Sequence, residues 1–260
     1  MGQRFLVSAE VLRKIIAASK LSPEDTVLEI GAGFGTLTIE LARRAKRVIA
    51  VEKDPRLIPA LEKNLRDRNI SNVTIVAGDI LKLFPDKLPL PKTYRVIANI
   101  PYYLTSRLIR VLLESDRHPA DIFLTVQKEV AERITAAPPR MNLLALAVQA
   151  YAEPKILFTV PPSAFSPQPQ VDSALIRITN IGKQFFIRQW LDERMLFAIL
   201  RAAFRGKRKT LENSLSQNLK LPKPLVSRIL VAQGLPGKRP EMLSLAEWSR
   251  LIRALAAEIK

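Results

Sequence analysis

Residues 96–104 read VIANIPYYL, an apolar run that ends on an amide, a proline and an aromatic ring: Asn99, Pro101 and Tyr102. Together these groups suit a planar base with an exocyclic amino group, such as adenine. The lone pair of that nitrogen is delocalised into the ring, and its pKa is far too high for a nearby base to activate it. Position can do what a base cannot. The Asn99 side-chain oxygen and the main-chain carbonyl of Ile100 or Pro101 can accept the two amino hydrogens and turn the lone pair toward a methyl donor. Pro101 fixes the backbone there and removes a competing donor. Tyr102 can stack on the base face, a contact worth about 1–3 kcal/mol. If the electrophile is a sulfonium methyl, in-line displacement needs orientation more than acid–base help, and no metal is required.

Three further polar signals precede this one. LEIGAGFGTL places Gly31 and Gly33 in a tight turn between a strand and a helix, where glycine lets a ligand approach the backbone. The spacing G-x-G-x-G is similar to, but not the same as, the dinucleotide loop G-x-G-x-x-G. Glu52 ends the apolar run RVIAVE. An acid roughly 20 residues beyond the first glycine can accept hydrogen bonds from a ribose diol. A nicotinamide dinucleotide and S-adenosylmethionine both carry that diol, so this signal leaves the cofactor open. Asp79, in AGDIL, can accept from a cofactor adenine amino group, or be an ordinary turn aspartate.

The elements that must position these residues follow from periodicity. SAEVLRKIIAASK, with Ser8 as a possible N-cap, predicts a helix. TVLEI, RVIAVE, NVTIVAGD, YRVIAN and DIFLTVQ predict strands, with TLTIELARRA, PRLIPALEKNL (Pro55 in its first turn) and TSRLIRVLLES as helices between them. This alternation predicts an α/β fold, a Rossmann-like parallel sheet with helices on both faces. Ligands of such sheets bind beyond the carboxyl ends of the strands, where Gly31, Glu52, Asp79 and Asn99 all fall. After residue 140 the alternation stops. LLALAVQAYAEPKILFTVPPSAF runs to a proline-marked turn, and DSALIRIT predicts one more strand. From about 184 the chain reads as helical throughout, beginning with FFIRQWLDERMLFAILRAAF as one helix. The expected division is 1–180, a catalytic domain, and 181–260, a smaller all-helical domain.

Composition narrows the function class. The 260 residues include no cysteine and one histidine, His118. That excludes disulfides, thiolate nucleophiles and cysteine metal sites and leaves no histidine cluster; no metal is expected. His118, in SDRHPAD, reads as a loop residue. There is no apolar run of about 18 residues to span a membrane and no signal-peptide core, so a cytoplasmic location is expected. The chain opens almost directly on GQRFL, leaving room for a further N-terminal segment. Its net charge of +17 points to a polyanionic partner. Arg205, Lys207, Arg208 and Lys209 cluster in AAFRGKRKTLENSL, where they can track RNA phosphates; Lys238 and Arg239 add to them.

The ordered set GQRFL, EIGAGFGTLT, VIAVEKD, AGDIL, NIPYYLTS, FSPQPQVDSALIRI and FRGKRKTLENSL resembles the S-adenosylmethionine-dependent ribosomal RNA adenine dimethyltransferases over nearly the whole chain. It is similar above all to the small-subunit enzymes that modify two adjacent adenosines. The resemblance implies S-adenosylmethionine as cofactor, contacted by Arg4, Leu6, Gly31, Glu52, Asp79 and Asn99. It implies that Phe165 packs near the target base, opposite Tyr102, so that the base must be flipped out or single-stranded. It also implies small-subunit ribosomal RNA in a pre-ribosomal particle as partner and a monomeric enzyme. Arg4 stands where the family usually has His or Asn; either its main chain serves the cofactor or its side chain reaches RNA phosphate. Three alternatives stay open: a nicotinamide-linked oxidoreductase; a non-catalytic RNA-binding assembly factor or mitochondrial transcription factor; and a large-subunit enzyme of the antibiotic-resistance type.

Overall fold

The computed structural model describes residues 4–206 and 209–258. Its strands are β1 (Phe5–Leu6), β2 (Thr26–Ile30), β3 (Arg47–Glu52), β4 (Val73–Ala77), β5 (Arg95–Asn99), β6 (Ile122–Gln127), β7 (Glu153–Val160), β8 (Phe165–Ser166) and β9 (Ser173–Thr179). Its α-helices are α1 (Ala9–Ser19), α2 (Thr36–Ala42), α3 (Ile58–Arg66), α4 (Ile80–Leu83), α5 (Thr105–Glu114), α6 (Lys128–Ile134), α7 (Leu143–Gln149), α8 (Gln184–Gln189), α9 (Glu193–Phe204), α10 (Leu211–Leu219), α11 (Lys223–Ala232) and α12 (Leu245–Ala256). No helix among the described residues is long and apolar enough to cross a membrane.

Two compact units share these elements. The first holds the described residues through Glu132 together with Ala152–Ile181. A seven-stranded sheet runs through it in the order β4-β3-β2-β5-β6-β9-β7. The five strands from β4 to β6 are parallel, while β9 pairs antiparallel with both β6 and β7. Val27, Leu28, Ile49, Ala50, Val96, Ile97 and Phe123 have no exposed surface, as expected where helices cover a parallel sheet on both faces. The sheet's direction of growth reverses between β2 and β5, and it is at such a reversal that the crevice beyond the strand ends opens. Gly31 follows β2 and Asn99 ends β5, so both lie at that crevice.

Four expectations need correction. The sheet is mixed: β7 was not foreseen, and it closes the edge beside β9. Pro154 is tolerated there because an edge strand can forgo a ladder donor. The α3 helix begins at Ile58 with Pro59 in its first turn, so Pro55 precedes it. The helix expected over FFIRQWLDERMLFAILRAAF is two, broken at Trp190, which takes a left-handed conformation (φ 50°, ψ 44°). Asp192 then caps α9 by accepting from the Met195 amide at 2.7 Å. Finally, the division is not one cut near 180.

Arg133–Tyr151 falls in the second unit with the chain from Gly182 onward. Within that unit the Met141 amide donates to the Glu241 carbonyl at 3.0 Å, and the Tyr151 hydroxyl to Glu193 at 2.5 Å. Its core gathers Leu196, Leu200, Leu211, Leu215, Leu251 and Ile252 with Trp248, all fully buried. The Phe204 ring lies 6.0 Å from that indole.

Candidate active site

Eight of the anticipated residues line two adjoining hollows at the strand ends. The larger, of about 690 Å3, is lined by Gly31, Glu52, Lys53, Asp79, Pro101 and Tyr103 among others. The smaller is lined by Arg4, Leu6, Glu29, Gly33, Glu52 and Asn99 among others. Gly31, Glu52 and Pro101 border both.

The glycine turn is built by backbone strain that only glycine relieves. Gly31 (φ 77°) and Gly33 (φ 58°) are left-handed, and a Cβ on Gly33 would sit 3.2 Å from the Phe5 ring. The Gly33 amide donates to Glu52 Oε2 at 2.8 Å, and the Asp54 amide to Glu52 Oε1 at 2.8 Å. Glu52, though 2% exposed, is therefore an anchored carboxylate whose remaining lone pairs face the hollows. Asp79 caps α4 by accepting from the Leu81 amide at 3.1 Å. Its other oxygen lies 2.9 Å from Lys53 Nζ, and that hydrogen bond holds the carboxyl below its usual range.

Asn99 is only half-buried, and its amide orientation is fixed. Nδ2 donates to the Arg4 carbonyl at 3.0 Å; a carbonyl can only accept, so the nitrogen must face it. Oδ1 is left over, and no described residue donates to it. β1 makes this possible: it pairs with β8, Leu6 opposite Phe165, and so lays Arg4 across the end of β5. The Pro101 carbonyl is already engaged by the Leu104 amide at 3.0 Å, whereas no described residue donates to the Ile100 carbonyl. The Tyr102 hydroxyl is held 2.6 Å from Ser173 Oγ.

Phe165 does not stand where it was expected. It is 2% exposed and part of the apolar core with Leu6, Ile15 and Leu175, because the β1–β8 pairing draws it under β1. Its ring offers no face to a base in this arrangement. The exposed ring at the larger hollow is Tyr103, at 70%. Of the basic cluster, Arg205 and Lys209 lie exposed in the second unit, while Lys207 and Arg208 are outside the described residues.

Two residues went unnoticed in the sequence. Ser173 is one. The other is Glu29, in mid-strand in β2 and 1% exposed. No described residue pairs with Glu29 Oε2 or with the neighbouring Thr38 Oγ1. Burial pushes this carboxyl up to about 8; the Thr38 groups oppose the rise and the Glu52 charge adds to it. The sequence signal was available, since an acid inside TVLEI breaks an otherwise apolar buried strand.

The mixed sheet with its reversal point and the acids at its strand ends make a Rossmann-like fold, and its structural neighbours place it among the methyltransferases. The profile of the family described as ribosomal RNA adenine dimethylase matches residues 1–248. A protein of Dehalococcoides mccartyi (strain CBDB1) named ribosomal RNA small subunit methyltransferase A is 43% identical over 253 residues, 96% of this chain and 86% of that one. A dimethyladenosine transferase from Plasmodium falciparum superposes with a TM-score of 0.81 at 27% identity, covering 98% of each chain. The 23S rRNA methyltransferase ErmE follows with a TM-score of 0.75 at 27% identity, over 97% of this chain and 99% of that one. The chain belongs to the ribosomal RNA adenine dimethylase family, which sets aside the nicotinamide-linked alternative.

Proposed function

We propose that this protein transfers methyl groups from S-adenosylmethionine to the exocyclic amino groups of two adjacent adenosines in small-subunit ribosomal RNA, two methyls to each. The single observation that carries the reading is Asn99, whose nitrogen is committed to Arg4 while its oxygen is left at the crevice. Family membership and the name of the Dehalococcoides relative support the choice of substrate.

The chain's residues fit the donor. Two carboxyls, Glu29 with an unpartnered oxygen and Glu52 with lone pairs to spare, border one hollow. Such a pair suits a ligand that brings both positive charge and hydroxyls. Glu52 would take the ribose, Asp79 the adenine of the donor, and the turn at Gly31 and Gly33 would let it approach the backbone; Arg4 serves through its carbonyl and Leu6 as apolar wall. The donor supplies a methyl already activated by its sulfonium charge.

The remaining work is orientation. Asn99 Oδ1 and the Ile100 carbonyl accept the two amino hydrogens, and Ile100 rather than Pro101 serves because the Pro101 carbonyl is occupied. Tyr102, its hydroxyl tied to Ser173, holds a ring face for the base, and Pro101 keeps the backbone from yielding. Phe165 supports this wall from the core. Attack by nitrogen forms the new carbon bond as the carbon–sulfur bond breaks, and the displaced proton leaves to water.

In the same reading the RNA is met in a pre-ribosomal particle by a cytoplasmic monomer, with the helical unit gripping RNA through Arg205, Lys207, Arg208 and Lys209. That unit's share of the sequence carries eighteen Lys/Arg against six Asp/Glu, a net +12 of the chain's +17. The test is incubation with unmethylated small subunits and labelled methyl donor, followed by mapping of the modified nucleotides. Two neighbouring dimethyladenosines in small-subunit RNA are expected; label on large-subunit RNA alone would overturn the assignment.

A further inference from the structure

Trp190 serves the fold poorly. It occupies the left-handed position after α8, where its amide donates to the Phe186 and Ile187 carbonyls and the next amide, Leu191, donates to Phe186 at 3.0 Å. This is a helix stop at which glycine is the usual residue, since a Cβ is strained there. Its indole is also 89% exposed, with Ile187, three residues before it, at 71%. A large aromatic placed in water at a strained position stabilises nothing within the chain.

Its surroundings supply a reason. Arg188 precedes it by two residues and Arg194 follows by four. From Arg194 the exposed positions of α9 continue through Arg201 to Arg205, the helical residue that caps its C-terminus, at intervals of seven and four. Such spacing keeps all three on one helix face, over about 17 Å at 1.5 Å per residue. None of these four arginines has an ion-pair partner among the described residues. Asp192, the exposed acid between them, is taken up in capping α9. A free aromatic face at one end of a row of unpaired guanidiniums is what single-stranded RNA requires, a stack for a base and charges for its phosphates.

We infer that Trp190 stacks on an unpaired base of the substrate RNA, while Arg194, Arg201 and Arg205 carry the adjoining phosphates to the basic cluster. The inference rests on the reading that the substrate is ribosomal RNA and adds a second, non-catalytic contact to it.

Full-length wild type, Trp190→Gly and Trp190→Phe are titrated with a small-subunit rRNA transcript, following tryptophan emission and affinity. The other tryptophan, Trp248, is fully buried, so a solvent-exposed emission reports Trp190. RNA is expected to quench that emission in the wild type. Trp190→Gly should weaken binding by roughly 5- to 140-fold, the stacking range of about 1–3 kcal/mol converted at tenfold per 1.4 kcal/mol. Trp190→Phe should recover most of the loss. Thermal stability of Trp190→Gly should be unchanged or higher, the opposite of what a packing role gives, and its affinity for S-adenosylmethionine should match the wild type. Equal RNA affinity in wild type and Trp190→Gly, or emission indifferent to saturating transcript, would overturn the inference. A loss seen with assembled subunits but not with the transcript would assign this surface to a protein partner and overturn it too. Methylation of small subunits by the wild type is measured separately, so failure of the substrate reading is told apart from failure of the stack.

Discussion

An asparagine amide has a donor end and an acceptor end, and at position 99 only the donor is spoken for. This asymmetry makes sharp demands on substitutions. Asn99→Ala removes the acceptor; Asn99→Asp keeps an oxygen but sets a carboxylate against the Arg4 carbonyl. Both should lower single-turnover methyl transfer by roughly a hundred- to a thousand-fold, the cost of losing one oriented contact at a reacting group, with RNA affinity largely intact. An equal loss of RNA binding would show that Asn99 shapes the surface rather than the reaction. Glu29 gives a second prediction. Its folded-state pKa of about 8 lies above the ordinary 4.5, so between those values the folded chain holds a proton that the unfolded chain has lost. Its contribution to stability is full below about 4.5 and disappears as pH rises through about 8. Thermal melts of the donor-free protein should therefore fall across that window, and Glu29→Gln should flatten the fall. The position of Asn99, Glu52 and Asp79 beside the hollows is legible in the sequence because each ends an apolar run, where an ionic or amide group has no packing excuse. Glu29 is hidden because it lies inside such a run, and the burial of Phe165 is not legible locally because it depends on β1, a hundred and sixty residues away.

At the scale of elements, local chemistry was legible wherever it was carried by neighbours in sequence. Ser8 starts α1 as its hydroxyl promised, accepting from the Val11 amide at 3.3 Å, and the strand of TVLEI has the bounds of β2. The break at Trp190 was not legible, since neither glycine nor asparagine marks it and the apolar spacing continues across it. The place of the segment Arg133–Tyr151 in the second unit was hidden for another reason: contacts such as Tyr151 with Glu193 are not recorded in either local stretch. The start of α12 shows a complete local signal. Ser244 accepts from the Glu247 amide at 3.2 Å, and Glu247 accepts from the Ser244 amide at 2.8 Å, a reciprocal capping box. That backbone bond, aided by the Ser244 hydroxyl and Lys238, holds the Glu247 carboxyl down to about 2. Ser244→Ala should cost about 1 kcal/mol in denaturant unfolding at neutral pH. The Glu247 contribution is present above about 4.5 and is lost as pH falls toward 2, so Glu247→Gln should be less stable than wild type at pH 7 and converge with it in acid.

Over the whole molecule, charge is divided as the chemistry is. The sheet-bearing unit, with the crevice, carries a net +5, and the helical unit carries +12 on far fewer residues. Total charge was evident from composition; its allocation needed the structure, because Arg133 and Arg140 join the helical unit from the middle of the chain. This division separates two kinds of binding that respond differently to salt. Each arginine that neutralises a phosphate releases condensed counterions, so the logarithm of RNA affinity falls linearly with the logarithm of salt, by roughly 0.7 per phosphate on single strands. Binding of S-adenosylmethionine at the proposed site of anchored acids and glycine backbone should change little over the same range. Arg201→Ala with Arg205→Ala should reduce the salt slope by roughly 1.4 and leave donor affinity untouched, whereas Trp190→Gly should weaken RNA binding at every salt concentration without altering the slope. Filter binding of the small-subunit transcript across a salt series distinguishes them. If the double arginine variant keeps the wild-type slope, the row along α9 carries no phosphates and the grip on RNA must lie elsewhere on the basic surface.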